Sequence, residues 1–249
     1  MNDEIAIIKR IEEEKNFILT SHINIDGDGI GSMLAFGYAL KNLKKDILLV
    51  LQDPIPAMYS FLQGSVSVIK ISDLDSLREI HKNFTNLIVL DCATLQRTGN
   101  TFFKELPFFI INIDHHKGNE LFGNLNIIDY HFSSTAEICL NLFERIGIPL
   151  TQEIASSLYV GLLTDTGSFR YQNTLKESFV NAAKLIDAGV IPHFVAKNIY
   201  ESKSLKNIRL LGLALQKARI VHKGKIAYTI IDYGMFKKMN ATEEDTEGI

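Results

Sequence analysis

The stretch Phe17-Ile18-Leu19-Thr20-Ser21-His22-Ile23-Asn24-Ile25-Asp26-Gly27-Asp28-Gly29-Ile30-Gly31-Ser32 decides how this chain is read. Its first four residues read as a short apolar strand, and Ile30, Leu34 and Tyr38 recur at helical spacing just beyond. Between strand and helix, one imidazole and two carboxylates share a loop with Gly27, Gly29 and Gly31, which suit a sharp turn and a close approach to a ligand. Parallel α/β sheets place their ligands there, beyond the strand C-termini. A dinucleotide-binding fingerprint fits poorly, because Ser32 replaces the third glycine and two aspartates lie where a pyrophosphate would sit.

Working outward, the same pattern recurs. Asp46 to Leu51, Ser67 to Ile71, Leu87 to Leu90 and Phe108 to Ile113 are apolar runs without alternation, as expected of strands covered on both faces. Ile5, Ile8 and Ile11 line a preceding helix, and both Ser134 to Glu137 and Thr174 to Glu177 have capping-box spacing. The expected fold class is α/β: a mostly parallel β-sheet flanked by helices (residues 1–190), then a linker helix region (191–224) and an incomplete second α/β domain (225–249). Between Lys197 and Lys225 eight basic residues stand against one acid, Glu201, a stretch that suits a solvated linker face and an RNA-contacting surface equally. Ile226 to Ile231 reads as a strand and Thr242-Glu243-Glu244-Asp245 as a helix start, so only the beginning of a second domain is expected.

Composition narrows the class. With 249 residues, 46% hydrophobic and 22% charged, the chain reads as globular and not as disordered or collagen-like. No apolar run reaches the ~18 residues of a spanning helix. Met1-Asn2-Asp3-Glu4 is acidic where a signal peptide is basic, so a cytoplasmic protein without membrane association is expected. Cys92 and Cys139 lie in apolar segments and form neither a disulfide framework nor a CxxC pair, which fits a reducing compartment. A net charge of −3 gives no global attraction to nucleic acid.

The chemistry lies at the ends of the elements. Asp91 closes the strand Leu87 to Leu90, Asp114-His115-His116 closes Phe108 to Ile113, and the helix Ile154 to Leu163 runs into Thr164-Asp165-Thr166-Gly167. If the strands are parallel, His22, Asp26, Asp28, Asp91, His115 and Asp165 converge on one sheet edge. Such a set repels itself unless divalent cations bind; carboxylate with imidazole suits Mn²⁺, Zn²⁺ or Fe²⁺, and a carboxylate-rich set favours Mn²⁺ or Mg²⁺. Two metals ~3.5 to 4 Å apart, bridged by one carboxylate and a hydroxide, are common machinery for in-line displacement at phosphorus. The residues point to a dinuclear phosphoesterase. His81, His131, His193 and His222 fall outside this set and read as structural or surface residues, while Ser133-Ser134-Thr135 reads as a helix cap with a phosphate contact as the lesser alternative.

In order and context, His22-x-x-x-Asp26-x-Asp28, Asp91, Asp114-His115-His116 and Asp165-Thr166-Gly167 resemble the four motifs of the DHH phosphoesterase family over roughly residues 1 to 190. The flanks His22-Ile23-Asn24 and Thr164 to Tyr171 are most similar to its nanoRNase subgroup, which degrades very short RNA and dephosphorylates 3′-phosphoadenosine 5′-phosphate. The resemblance implies two Mn²⁺ per chain, with Mg²⁺ or another divalent metal as alternatives. It implies that His22, Asp26 and Asp91 hold one, that Asp28, Asp91, His115 and Asp165 hold the other, and that Asp91 bridges them. His116 would face the scissile phosphate and Asp114 would orient the histidines. Arg170, five residues after Asp165, suits a phosphate clamp by chemistry and position. Short RNA or 3′-phosphoadenosine 5′-phosphate is the implied substrate, and a homodimer is among the open oligomeric states. Family members continue into a companion domain with a GGGH motif, and no GGGH occurs here. Two other branches, cyclic dinucleotide phosphodiesterase and pyrophosphatase, rank lower for want of their accessory signatures. A non-catalytic nucleotide-binding or oligomerisation module is disfavoured by the complete charged set.

Overall fold

Strand β1 (Asn16–Thr20) is buried along almost its whole length, as its unbroken apolar run demands, and both of its edges are paired. The computed structural model describes residues 2–62, 67–73, 77–201 and 203–246. Before β1 runs α1 (Asn2–Glu13), and after it come α2 (Gly27–Asn42), β2 (Asp46–Leu51), β3 (Val68–Lys70), α3 (Leu77–His81), β4 (Asn86–Leu90), α4 (Phe102–Glu105), β5 (Phe109–Asp114) and β6 (Leu125–Ile128). There follow α5 (Thr135–Ile146), α6 (Gln152–Asp165), α7 (Lys176–Asp187), α8 (Pro192–Ala196), α9 (Leu205–Gln216), β7 (Arg219–Val221), β8 (Ile226–Tyr228) and α10 (Tyr233–Met239). The chain divides into two compact units, residues 1–195 and 196–249.

In the first unit six strands lie in the order β3-β2-β1-β4-β5-β6, and every pairing is parallel. The chain builds outward from β1 through β2 to β3, then returns to lay β4 on the free side of β1 and builds outward again. The reversal between β1 and β4 is a topological switch point, and the crevice beyond their C-terminal ends is where such a sheet receives a ligand. Ser21 ties the two ends together, its Oγ donating to the Leu90 carbonyl at 2.8 Å.

The pleat sends alternate side chains to opposite faces. Ile18, Val50, Leu87, Val89 and Ile110 join Phe103 and Phe108 in one buried cluster. On the other face α2 presses so closely that a Cβ at Gly37 would stand 3.1 Å from a Leu49 methyl. Helix α2 is buried on every side from Gly27 to Leu40, and α6 is its main helical neighbour.

Several expectations are corrected. Gly27, Gly29 and Gly31 do not form a turn; they occupy the first turns of α2 with ordinary helical backbone. Gly31 serves helix packing instead, since a Cβ there would collide with the Ser157 carbonyl and lie 3.0 Å from the Gly161 nitrogen. The buried stripe of α1 is Ile7 and Ile11, whereas Ile5 is 65% exposed. Helix α7 starts after Leu175, whose N–H donates to the Ser178 hydroxyl at 3.3 Å, so the cap falls one residue later than the Thr174 spacing suggests. Strand β6 has no counterpart among the expected strands.

In the second unit β7 and β8 form an antiparallel ribbon, and α9 packs on α10 through Leu210, Ala214 and Met235. The expected strand Ile226 to Ile231 stops at Tyr228, and the expected helix start at Thr242 is a 3-10 turn, Glu243–Thr246, pinned by Ser204 Oγ donating to Asp245 at 2.8 Å. The rest of that expected helix, residues 247–249, lies outside the described residues. Among the described residues, no single helix is long and apolar enough to cross a membrane.

Overpacking a tight helix contact costs about 1 to 3 kcal/mol, so Gly31→Ala lowers the denaturation midpoint accordingly. Gly118→Ala, where a Cβ meets nothing within 4 Å, leaves the midpoint unchanged. Equal midpoints for the two variants contradict the close α2–α6 contact.

Candidate metal centre

Asp26 is the N-cap of α2, its Oδ1 accepting from the N–H groups of Asp28 at 3.1 Å and Gly29 at 3.0 Å. That cap orients the helix so that Asp28 points inward, where it has no exposure to water. The Asp28 carboxylate is met by the N-terminus of α5: Thr135 N–H donates to Oδ2 at 2.6 Å and Ala136 N–H to Oδ1 at 2.9 Å. Ser32, one helical turn on, donates to Oδ1 at 3.3 Å. Ser134 caps α5 as expected, its Oγ accepting from Glu137 N–H at 3.3 Å, while the N–H groups of Thr135 and Ala136 go to the Asp28 carboxylate, a use that the sequence reading did not include.

Asp91 follows β4 with a left-handed backbone, φ 54°, rare for a residue with a side chain and found where surrounding structure holds it. Its N–H donates to the Ile113 carbonyl at 2.9 Å and its Oδ1 accepts from Thr135 Oγ1 at 2.9 Å. Its two oxygens face two different histidines: Oδ2 lies 3.6 Å from His22 Nε2, and Oδ1 lies 3.7 Å from His115 Nε2. His22 Nδ1 lies 2.8 Å from the Ile23 carbonyl, which calls for hydrogen on Nδ1 and turns the Nε2 lone pair toward Asp26, at 3.6 Å, and Asp91. His115 Nε2 also lies 3.2 Å from Asp165 and 3.9 Å from Asp28.

The structure thus brings all six expected ligands together. Their donor atoms form one set from His22, Asp26 and Asp91 and another from Asp28, His115 and Asp165, each with all atoms within 4.8 Å of one another. A third set, Asp91, His115 and His116, overlaps both. Two His/Asp clusters of this size and chemistry suit divalent cations.

Asp114 is fully buried and accepts three times: from His115 N–H at 2.9 Å, from Asn119 Nδ2 at 2.6 Å, and in contact with His116 Nδ1 at 2.7 Å. It therefore orients the His116 ring, which leans 3.7 Å from Asp91, while it meets His115 only through the backbone. Asn119 also donates to Asn112 Oδ1 at 2.8 Å. Nothing in the apolar-run reading marks either asparagine. Arg170 stands apart: it is exposed, and its Nε donates to the Gly167 carbonyl at 2.7 Å within its own loop.

Electrostatics set the protonation. Burial, together with the negative charges of Asp91, Asp165 and Asp26, pushes the Asp28 carboxyl well up. Burial and the charges of Asp91 and Asp26 push Asp165 up to about 7. For His22 burial opposes the charged form, but Asp26, Asp91 and the Ile23 carbonyl outweigh it and push the ring up to about 10. Burial also opposes ionisation of Asp114, and is outweighed by His116 and Asn119, so its carboxyl stays low; His116 is raised, chiefly by Asp114.

Comparison with known proteins bears on the same residues. Residues 16–162 match the DHH family, N-terminal domain. The chain is 36% identical over 186 residues to the bifunctional oligoribonuclease and PAP phosphatase NrnA of Thermus thermophilus, covering 75% of this chain and 54% of that protein. It therefore spans about half the length of that relative. It is 29% identical over 229 residues to the uncharacterized protein MG371 of Mycoplasma genitalium, covering 92% of this chain and 68% of that one. The crystal structure of an exopolyphosphatase-related protein from Bacteroides fragilis shares the fold with a TM-score of 0.90, at 24% identity over 99% of this chain and 74% of that one.

Ligation needs a bare imidazole nitrogen and ionised carboxylates, so a cation entering this site expels protons from His22 and Asp165. Affinity for a divalent cation rises with pH, most steeply below about 7, where Asp165 and His22 both hold protons, and less steeply from there to the His22 value of about 10. Calorimetry at pH 7 in buffers of different ionisation enthalpy reads the protons released; a heat independent of buffer contradicts this electrostatic account.

Proposed function

Because the chain belongs to the DHH family and gathers two His/Asp donor sets at its sheet's switch point, we propose that it is a divalent-metal-dependent phosphohydrolase acting on short oligoribonucleotides, on 3′-phosphoadenosine 5′-phosphate, or on both. The observation that carries this reading is Asp91, whose two oxygens face two different histidines at 3.6 and 3.7 Å, so that one carboxylate could serve both donor sets. His22, Asp26 and Asp91 would hold one Mn²⁺, and Asp28, Asp91, His115 and Asp165 the other. When bound, the two ions supply a water activated near neutral pH and positive charge for the phosphoryl oxygens.

The remaining steps belong to the chain. The α5 N-terminus and Thr135 hydroxyl keep Asp28 and Asp91 aimed, so little reorganisation is needed as charge develops. His116 is 40% exposed and its Nδ1 is committed to Asp114, which leaves Nε2 to meet the substrate. With its affinity for a proton raised by Asp114, it donates to a phosphoryl or leaving oxygen. Arg170 keeps the outer end of its guanidinium for a phosphate farther out, since its Nε is engaged by the Gly167 carbonyl. The Thermus thermophilus relative supports this choice of substrates at 36% identity. Residues 1–190 would form the catalytic domain. The protein would act in the cytoplasm.

The test is hydrolysis, with and without Mn²⁺, of a 5′-phosphorylated ribodinucleotide and of 3′-phosphoadenosine 5′-phosphate by this same chain. Turnover that needs the metal and vanishes on chelation is expected. Asp91→Asn loosens both ions and lowers kcat by about 10³-fold or more, whereas Arg170→Ala chiefly raises KM. An Asp91→Asn enzyme with parental rates sinks the two-metal reading.

A further inference from the structure

The segments that leave the ends of β5 and β6 carry a group of side chains that the ligand sets do not use. Lys117 follows His116 directly. Tyr130 and His131 follow Asp129, whose N–H donates to the Asp114 carbonyl at 3.1 Å, so both segments leave the sheet beside the ends of β5 and β6. The second segment then runs on to Thr135, which touches Asp28 and Asp91. The Lys117 ammonium stands 5.7 Å from the centre of the Tyr130 ring, and the His131 ring lies 4.4 Å from the same ring at a tilt of 33°. Asp129 fixes His131, accepting from its backbone N–H at 2.9 Å and lying 3.0 Å from its Nδ1. The assembly faces water, with Tyr130 at 53% exposure and the His131 side chain at 77%.

A single exposed aromatic residue is ordinary. An exposed pair of packed rings and an ammonium, carried on the segments that leave β5 and β6 beside Asp114 and His116, define a ligand chemistry, a flat ring to stack and an anion to pair with the lysine. A nucleotide offers both in one molecule. We propose that Lys117, Tyr130 and His131 form a nucleotide subsite, in which a nucleobase extends the exposed Tyr130–His131 ring pair by stacking against it while Lys117 pairs with an adjoining phosphate. The inference rests on reading the metal centre as a phosphoesterase for short RNA. A stack grips a base by its face and not by its hydrogen-bonding edge, so the subsite accepts any base, purines most strongly.

The experiment is calorimetric titration of the full Mn²⁺-loaded chain with a 5′-phosphorylated diadenosine ligand carrying a non-hydrolysable methylenephosphonate linkage, and with its counterpart lacking both bases. Tyr130→Ala is expected to weaken the base-bearing ligand about 10-fold, within the range of base–aromatic stacking, and to leave the base-free ligand unaffected. Tyr130→Phe restores the affinity, and Lys117→Gln weakens both ligands. Unchanged affinity in Tyr130→Ala overturns the subsite, as does equal weakening of both ligands or a parent chain that binds neither. A parent chain that prefers the base-bearing ligand through Tyr130, yet hydrolyses no dinucleotide, supports the subsite and sinks the phosphoesterase reading instead.

Discussion

A carboxylate sealed from water, Asp28, is the constraint around which the first unit is arranged. Withdrawing such an ion from solvent costs several kcal/mol unless hydrogen bonds and opposite charge replace the lost hydration. Here the replacement is the positive end of α5, two backbone N–H groups with the dipole behind them. For α5 to reach Asp28, helices α2, α5 and α6 must meet at one point, and only residues without side chains let them. A Cβ at Gly161 would stand 2.6 Å from the Asp28 carboxylate and 2.7 Å from the Ala136 methyl. The close helix packing and the seat of the anion are therefore one feature seen from two sides.

The neighbouring groups follow from the same crowding. Burial and mutual repulsion drive Asp28 and Asp165 toward holding protons, while the same carboxylates make His22 a stronger base. A dication held in each donor set would satisfy both tendencies, compensating the negative charge and taking the imidazole lone pair. Asp114 plays a different part: with its charge secured by Asn119 and His116, it is a fixed acceptor that sets a ring's direction.

Much of this was legible from the chain itself, for a physical reason. A strand covered on both faces leaves no room for a charge within it, so an aspartate or histidine immediately after such a run marks the strand's end, and parallel pairing collects those ends on one edge. His22, Asp91, Asp114, His115 and His116 could be read in that way. What escaped depends on packing between elements distant in sequence. The glycines of α2 look like a turn until α6 is laid against them. Thr135 looks like a helix cap until Asp28 is seen to occupy the helix end. Strand β6, Leu-Asn-Ile-Ile and only half-buried at the sheet's edge, lacks the apolar run that marks the inner strands. Because β6 was invisible, so was the adjacency of Lys117 to Tyr130, which arises only when β6 pairs with β5.

The order in which the donors occur has a consequence for how the protein comes into being. They are spread from His22 to Asp165, and neither set can be drawn from the β1–β3 half alone, because one needs Asp91 and the other needs His115 and Asp165. Synthesis proceeds from the N-terminus, and contacts this far apart in sequence are slow to form. A nascent chain that has passed Asp91 but ends before α6 is finished has the residues of the His22, Asp26 and Asp91 set but not those of the set that needs Asp165, so the two sets become available at different points of synthesis. The full pair of donor sets is therefore in place only once the chain has been made through Asp165.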